Sequence, residues 1–337
     1  MKPRIVLGIE TSCDETAASV LENGKRVLSS IVASQVEVHS KYGGIVPEIA
    51  SRKHVEAIHS VVLSALSNAG LDFKDVDAIS VTQGPGLVGS LVVGFSFAKA
   101  AAISSGKPLT GVNHVHAHLL SVLLESKHKP AFPFVGLVVS GGHTSLYLVR
   151  GFLNVELLGQ TRDDAAGEAF DKVAKILGLS YPGGPIIGTL AQKGHRNQFQ
   201  FPRAKLPDTP YDFSFSGLKT AVLQQVQKMK QAGEKVVVED VCASFEEAVV
   251  DVLVEKTINA AKDLHVVDIA VAGGVAANKH LRHTMMEKAL QSGLRCFFPM
   301  ERYCTDNAAM VAFAGYHQIK AGITTGPDAD VYSRLPL

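Results

Sequence analysis

Two histidines four residues apart carry the clearest chemistry in this 337-residue chain: His114 and His118, inside Asn113-His114-Val115-His116-Ala117-His118-Leu119-Leu120. On a helix, residues i and i+4 lie on one face about one turn apart, the spacing that lets two imidazoles ligate one metal ion. At about 100° per residue, His118, Ser121 and Glu125 fall within about 40° of His114, while His116 points to the far side. Val115, Leu119, Leu120, Val122, Leu123 and Leu124 fill the remaining circumference. A polar stripe in an apolar helix is costly unless satisfied. It is therefore either half of a metal site or a pair of core histidines bonded to carbonyls. Asp306 precedes the apolar residues 308–314, which makes it a third ligand or a helix cap. A zinc-protease helix requires Glu directly after its first His. Val115 stands there, so proteolysis is excluded.

A second group of residues is suited to a nucleotide. Gly84-Pro85-Gly86, Ser140-Gly141-Gly142 and Gly273-Gly274 each follow an apolar run. Glycines at strand ends let backbone N–H groups turn toward a phosphate, and α/β folds place ligands at such ends. None of the three fits a Walker or dinucleotide pattern. Asp164, Glu168, Asp171 and Lys175 form a stripe at helical spacing, for ribose hydroxyls or merely for solvent. Asn278 sits where a helix cap is expected and could also read a ligand edge.

These side chains need strands to end at and helices to sit on. Residues 5–9 read as a buried strand, 10–16 as a polar turn, and 17–21 and 27–33 as strands around Asn23-Gly24. Residues 49–69 read as a helix with Val55, Ile58, Val62, Ala65 and Ala69 on its inner face. A strand at 78–82 and a helix from Leu87 follow. The design recurs with strands at 134–139 and 144–149, a helix at 164–177, a strand at 269–272 and a helix from about Asn278. The expectation is an α/β protein with a duplicated strand-turn-strand core but no visible sequence repeat.

Composition narrows the class. At 46% hydrophobic and 19% charged residues, with a net charge of +1, the chain reads as an ordinary globular protein with no overall bias toward polyanions. Cys13, Cys242, Cys296 and Cys304 form no Cys-x-x-Cys pair, which excludes a zinc ribbon and implies reduced cytosolic thiols. No signal-peptide core precedes Glu10, and the apolar stretch 87–98 is short for a membrane span. A cytoplasmic location with no membrane association is expected. Charge is uneven in one place only. Residues 193–230 carry Lys193, Arg196, Arg203, Lys205, Lys219, Lys228 and Lys230 against Asp208 and Asp212, a segment that either binds phosphates or stays solvated.

Taken in order, the motifs resemble the bacterial TsaD (Gcp) family of tRNA adenosine threonylcarbamoyltransferases. The matching stretches begin with Gly8-Ile9-Glu10-Thr11-Ser12-Cys13-Asp14-Glu15-Thr16, Tyr42-Gly43-Gly44-Ile45-Val46-Pro47-Glu48 and Gly84-Pro85-Gly86-Leu87. His114 with His118, Ser140-Gly141-Gly142-His143-Thr144 and Asp163-Asp164-Ala165-Ala166-Gly167-Glu168-Ala169-Phe170-Asp171-Lys172 follow. Tyr181-Pro182-Gly183-Gly184-Pro185, Phe213-Ser214-Phe215-Ser216-Gly217-Leu218-Lys219-Thr220, Ala272-Gly273-Gly274-Val275 with Asn278, and Cys304-Thr305-Asp306-Asn307 complete the series.

The resemblance implies a two-lobed, actin-like, sugar-kinase-type ATPase fold with a central nucleotide cleft. The lobes would be 1–112, rejoined by a C-terminal helix around 306–322, and 113–305. It implies transfer of threonylcarbamoyl from threonylcarbamoyl-AMP to N6 of the adenosine 3′ of the anticodon, in tRNAs reading codons that begin with A. His114, His118 and Asp306 would hold one divalent metal, Fe(2+) or else zinc. Val138, Val139, Ser140, Gly141, Gly142, Asp171, Gly184 and Asn278 would bind the adenylate, and Asp14 and Glu15 would face the reacting centre. Family members often carry a polar residue at the position of Gly188, so one substrate contact is expected to be missing. The implied partners are tRNA, a TsaB-like paralogue and a TsaE-like ATPase. The alternative is a small-molecule kinase of the same fold, which would have no use for a His-His-Asp cluster.

Overall fold

The apolar run near the start of the chain becomes the central strand of a sheet. In the computed structural model, which describes residues 3–335, β1 (Ile5–Glu10) is buried at every position, as a strand covered on both faces must be. It pairs antiparallel with β2 (Glu15–Glu22), which pairs antiparallel with β3 (Arg26–Ser34). Asn23 and Gly24 turn that hairpin, both at positive φ. On the other side β1 runs parallel to β4 (Ala78–Gly84), and β4 parallel to β5 (Leu109–Asn113). The order is β3-β2-β1-β4-β5.

The first unit also contains α1 (Val36–Ser40), α2 (Pro47–Asn68), α3 (Val88–Ser105) and α4 (His114–Ser121). Ile5, Leu7 and Ile9 share a core with Ile58, Val61 and Val62 of α2 and Phe95 of α3. Alternation along the strand sends Gly8 and Glu10 to the opposite face. There a Cβ on Gly8 would collide with the carbonyl of Ala308, so the closing helix of this unit crosses β1 in close contact. Val55, expected on the inner face of α2, is 64% exposed; the inner face is instead Ile58, Val61, Val62, Ala65 and Leu66. The apolar stretch from Leu87 extends to an 18-residue helix, α3, long and apolar enough by length and composition to cross a membrane. Here it packs Leu91, Phe95 and Ala98 into the core.

The second unit repeats the design. β6 (Phe134–Val139), β7 (Thr144–Gly151) and β8 (Asn154–Gln160) form a meander, and β9 (Asp268–Ala272) and β10 (Arg295–Phe297) add in parallel beside β6. The order β8-β7-β6-β9-β10 matches the first sheet strand for strand. The duplication read from the sequence is thus present in topology and strand direction. Around this sheet lie α5 (Ala166–Ile176), α6 (Gly183–Ala191), α7 (Ser216–Gln231), α8 (Val238–Asp263) and α9 (Lys279–Gln291). The last helix, α10 (Ala308–Lys320), returns to the first unit.

Contacts divide the chain at Lys129/Pro130 and at Phe298/Pro299, with Phe152–Asn154 joining the first unit. The sequence reading put these boundaries at 112/113 and 305/306. The difference falls at the histidine helix: α4 packs on α10 and on β4 and β5, so both histidines and Asp306 belong to one unit.

Candidate metal centre and nucleotide-binding residues

Helix α4 begins where Asn113 accepts hydrogen bonds from the N–H groups of Val115 (2.9 Å) and His116 (3.1 Å). Such a cap satisfies orphan donors of the first turn and fixes the entry angle of the helix. Asn307 caps α10 in the same way, accepting from Met310 N at 2.9 Å. Asp306 is thereby held just ahead of a helix N-terminus, where the backbone dipole favours a carboxylate.

These two caps bring the three expected donors together. His118 Nε2 lies 3.0 Å and His114 Nε2 3.5 Å from the same oxygen, Asp306 Oδ1. One ligand atom from each residue lies within 4.8 Å of the others, so the trio could hold a single metal ion. The His118 side chain is fully buried, that of His114 6% exposed and that of Asp306 21%. The set is therefore open on its carboxylate side.

Behind His114 stands a residue that the sequence motifs did not single out as a site. Glu10, at the buried end of β1, has its Oε2 3.0 Å from His114 Nδ1 and accepts from Thr82 Oγ1 at 2.6 Å. Its Oε1 accepts from the backbone N–H of Ser12. Three donors converge on this carboxylate. A carboxylate behind a ligating imidazole keeps the proton on Nδ1 and leaves Nε2 free for a metal. The signal was available in sequence: a Glu closing an apolar strand must find a partner once buried.

The charges of these groups are tied to one another, and a metal at His114 Nε2 would displace a proton from it. Burial pushes the Glu10 carboxyl up, but His114 outweighs it and leaves the group below the usual carboxylate range. Burial likewise raises Asp306, and the two histidines overcome it to hold it well below. His114 is depressed by burial yet driven well above its ordinary value by Asp306 and Glu10. His118 is lowered, chiefly by burial, and is a neutral imidazole ready to ligate.

One expectation about α4 changes and one holds. The helix ends at Ser121, so Glu125 is not part of its polar stripe. At φ 51°, Glu125 instead accepts from Val27 N, Arg302 Nη2 and Tyr303 OH at 2.9, 2.6 and 2.7 Å. His116 faces away from the trio as the helical count required, buried with its Nε2 unpartnered.

Asp14 lies in the turn after β1 and Glu15 opens β2; His54 of α2 braces this stretch through Thr16 Oγ1 (2.8 Å) and the Cys13 carbonyl (2.9 Å). Burial, then Asp306 and Asp14, push the Glu15 carboxyl up to about 9.

The expected adenylate residues all lie in the second unit. Val138 and Val139 are completely buried, so only their backbone can meet a ligand. Ser140-Gly141-Gly142 is a tight turn closed by Ser140 N to the His143 carbonyl at 2.8 Å. No atom would lie within 4 Å of a Cβ on Gly141 or Gly142, and both are exposed. Gly167 packs beneath the turn, its N–H donating to the Ser140 carbonyl at 3.1 Å.

Asp164 lies ahead of α5 rather than on it, paired with Lys172 at 2.6 Å and Lys219 at 3.5 Å. Asp171, which is on the helix, accepts from Gly183 N at 2.7 Å and so sets the start of α6. Gly184 and Gly188 share one face of α6. A Cβ on Gly188 would be 3.4 Å from both Asn278 Nδ2 and Glu246 Oε1, which places Asn278 beside that face. Asn278 caps α9 through Leu281 N (2.9 Å) and also donates to buried Glu246 at 2.7 Å. Glu246 in turn accepts from Arg196 at 2.8 Å. The sequence reading missed Glu246, because only the fold brings α8 to Asn278.

Residues 26–313 match the family model described as TsaD: tRNA N6-adenosine threonylcarbamoyltransferase. The chain is 52% identical over 333 residues to the tRNA N6-adenosine threonylcarbamoyltransferase of Syntrophus aciditrophicus, covering 99% of this chain and 98% of that one. It is 53% identical over 324 residues to that of Anaeromyxobacter dehalogenans, covering 96% of each. Among solved structures it is similar in fold to HypF of T. kodakarensis, with a TM-score of 0.63 at 16% identity over 95% of this chain and 48% of that one. A component of (R)-2-hydroxyglutaryl-CoA dehydratase from Acidaminococcus fermentans gives a TM-score of 0.55 at 15% identity, covering 94% and 99%.

Proposed function

The chain belongs to the TsaD family of tRNA N6-adenosine threonylcarbamoyltransferases, and from that membership we propose how its own residues carry out the transfer. The protein is an acyltransferase that modifies N6 of an adenosine in tRNA. We read the donor as threonylcarbamoyl-AMP and the acceptor as the adenosine 3′ of the anticodon in tRNAs for codons beginning with A. Nothing in the site favours the small-molecule kinase.

His114, His118 and Asp306 would hold one divalent metal, iron by family resemblance with zinc the other candidate, which when bound would supply Lewis acidity toward the acyl group. Glu10 keeps His114 in the tautomer that offers Nε2. Backbone N–H groups of the Ser140-Gly141-Gly142 turn would take the phosphate of the donor. Asp171 and the Gly184 face of α6 would take the ribose, with Asn278 at the nucleoside end. The acceptor N6 attacks the carbamoyl carbon, the bond from that carbon to the phosphate oxygen breaks, and AMP leaves with the electron pair. The amine proton would pass to the carboxyl pair Asp14 and Glu15. An exocyclic amine is a poor nucleophile, so most of the acceleration comes from positioning.

Partners follow the same reading. Helix α3 leaves Val88, Val92 and Ile103 exposed, an apolar face that supports docking of a TsaB-like paralogue; the TsaE-like ATPase rests on resemblance alone. Cys13, Cys242, Cys296 and Cys304 form no disulfide among the described residues, which supports a reducing, cytoplasmic location.

The observation that carries the metal-assisted mechanism is the convergence of two Nε2 atoms on Asp306 Oδ1 with Glu10 behind one of them. The test is transfer of labelled threonylcarbamoyl from the adenylate to unmodified tRNA, with and without chelator. Label should enter tRNA with equimolar AMP release, and both should stop on chelation. Full transfer by a metal-free His114→Ala enzyme would end this scheme.

A further inference from the structure

Residues 192–215, between α6 and α7, have no helix or strand of their own apart from a single bridge at Phe213. Irregular segments beyond about 12–15 residues are uncommon in compact domains and are usually either disordered or functional. This one is fixed. Along α8, Arg196 bonds Glu246 at 2.8 Å and Arg203 grips Asp251 at 3.1 and 2.6 Å. Ser244 Oγ joins the His195 carbonyl and Phe199 N at 3.2 and 3.1 Å. Phe199 is half-buried and Phe201 buried, while Gln198 and Gln200 between and beside them are exposed.

Helix α7 lies opposite, showing Ala221, Gln224, Gln225 and Lys228 on one face. Between the two is an open hollow of about 470 Å³ lined by Gln198, Phe199, Gln200, Gln224, Gln225 and Lys228 among others, and by no carboxylate. Three of the cations counted in the sequence are neutralised: Arg196 and Arg203 by α8, and Lys219 by Asp164. Lys193, Lys205, Lys228 and Lys230 are exposed and join no ion pair among the described residues.

We propose that this pinned segment and the facing side of α7 form a docking surface for RNA, using lysines for phosphates and a glutamine-lined hollow for an unstacked base. The proposal rests on the tRNA-modifying function above and assigns part of the substrate's contact area. Glutamine amides both donate and accept, so they can read base edges, and the half-buried Phe199 in the lining supplies an aromatic ring against which a base can pack. An acidic protein partner would use the lysines but would have little use for a hollow lined by four glutamines.

The experiment compares binding of unmodified tRNA transcript by the full-length chain, over a range of salt, with two double variants. Lys205→Gln with Lys228→Gln should weaken binding about tenfold and flatten the salt dependence by about 0.7–0.9 per lost phosphate contact. Gln200→Glu with Gln224→Glu removes no cation and alters only exposed side chains, yet should weaken binding at least as much by facing phosphates with new charge. In both, the KM for tRNA should rise while the KM for the adenylate stays unchanged. If the wild-type protein transfers label to tRNA and both variants bind like it, the surface is wrong and the function stands. If the wild-type protein neither binds nor modifies tRNA, both fall.

Discussion

Replacing Glu10 by Gln isolates the tautomer argument, because it keeps shape and volume while removing one acceptor. Glu10 receives the Ser12 N–H, the Thr82 hydroxyl and His114 Nδ1 on two oxygens. A glutamine has one oxygen. The Ser12 N–H is backbone and cannot adapt, so the oxygen stays there and the new NH₂ faces His114 Nδ1. That nitrogen must then accept, which moves the ring proton to Nε2, the atom aimed at Asp306. Ligating a metal would require the opposite tautomer, with two donors opposed in a buried site, at a cost of about 1–3 kcal/mol. At about 1.4 kcal/mol per factor of ten, affinity falls about 5- to 150-fold, in the range of about 10- to 100-fold seen when such supporting partners are removed. The assay is competition for divalent metal between the protein and a chelator of known affinity, with thermal unfolding as a control for folding. His118→Ala sets the scale for loss of a direct ligand. If Glu10→Gln binds metal within about twofold of wild type while His118→Ala does not, the tautomer reasoning is refuted.

Two further outcomes are expected. Gly167→Ala places a Cβ 2.6 Å from the Ser140 carbonyl and 2.8 Å from Gly141 Cα; the turn must shift, raising the KM for the adenylate with metal affinity unchanged, and an unaltered KM would remove the turn from donor binding. His116 and His317 are both pushed down to about 4, chiefly by burial. The unfolded chain takes up these protons near pH 6.5 and the folded chain only near 4, so stability should be fully present above about 6.5 and decline as pH falls toward 4. Urea midpoints measured with chelator at pH 7.5 and 5 check this, and His116→Leu should lessen the decline; equal midpoints would contradict it.

Much of the fold was legible because its strands are buried runs closed by residues with specific turn chemistry. β1 is apolar up to its final Glu10, and Asn23-Gly24 supplies the positive φ values that its hairpin requires. The duplication was visible as a succession of elements and became firm only in the matching strand order. Less legible was where α4 stops. Val122, Leu123 and Leu124 are all buried, and an apolar run fits a buried helix or a buried turn equally well. The helical count therefore ran on to Glu125, whose real partners are Val27, Arg302 and Tyr303. The basic segment misled for a related reason. Arg196 and Arg203 looked like free charge because their carboxylates lie in α8, about fifty positions downstream.

The same limit divides the site. His114 and His118 are four residues apart, so helix geometry alone puts them on one face, and Asp306 announces itself as a carboxylate ahead of an apolar helix. Glu10 supports His114 from 104 positions away, and Glu246 supports Asn278 from 32. No local period links those pairs. What the sequence does contain is the debt each one creates: a carboxylate on a strand or helix face that is otherwise apolar. Glu10 is fully buried and Glu246 1% exposed, and an isolated ionised carboxylate cannot stay in such a place. Each therefore demanded a donor before any fold was known. Among the groups that supply those donors are His114 and Asn278, two of the proposed site residues, and Arg196, an anchor of the basic segment. A buried acid that breaks its element's pattern thus points to a donor that the fold must supply, and for Glu10 and Glu246 that donor is a proposed site residue, even though spacing does not reveal it.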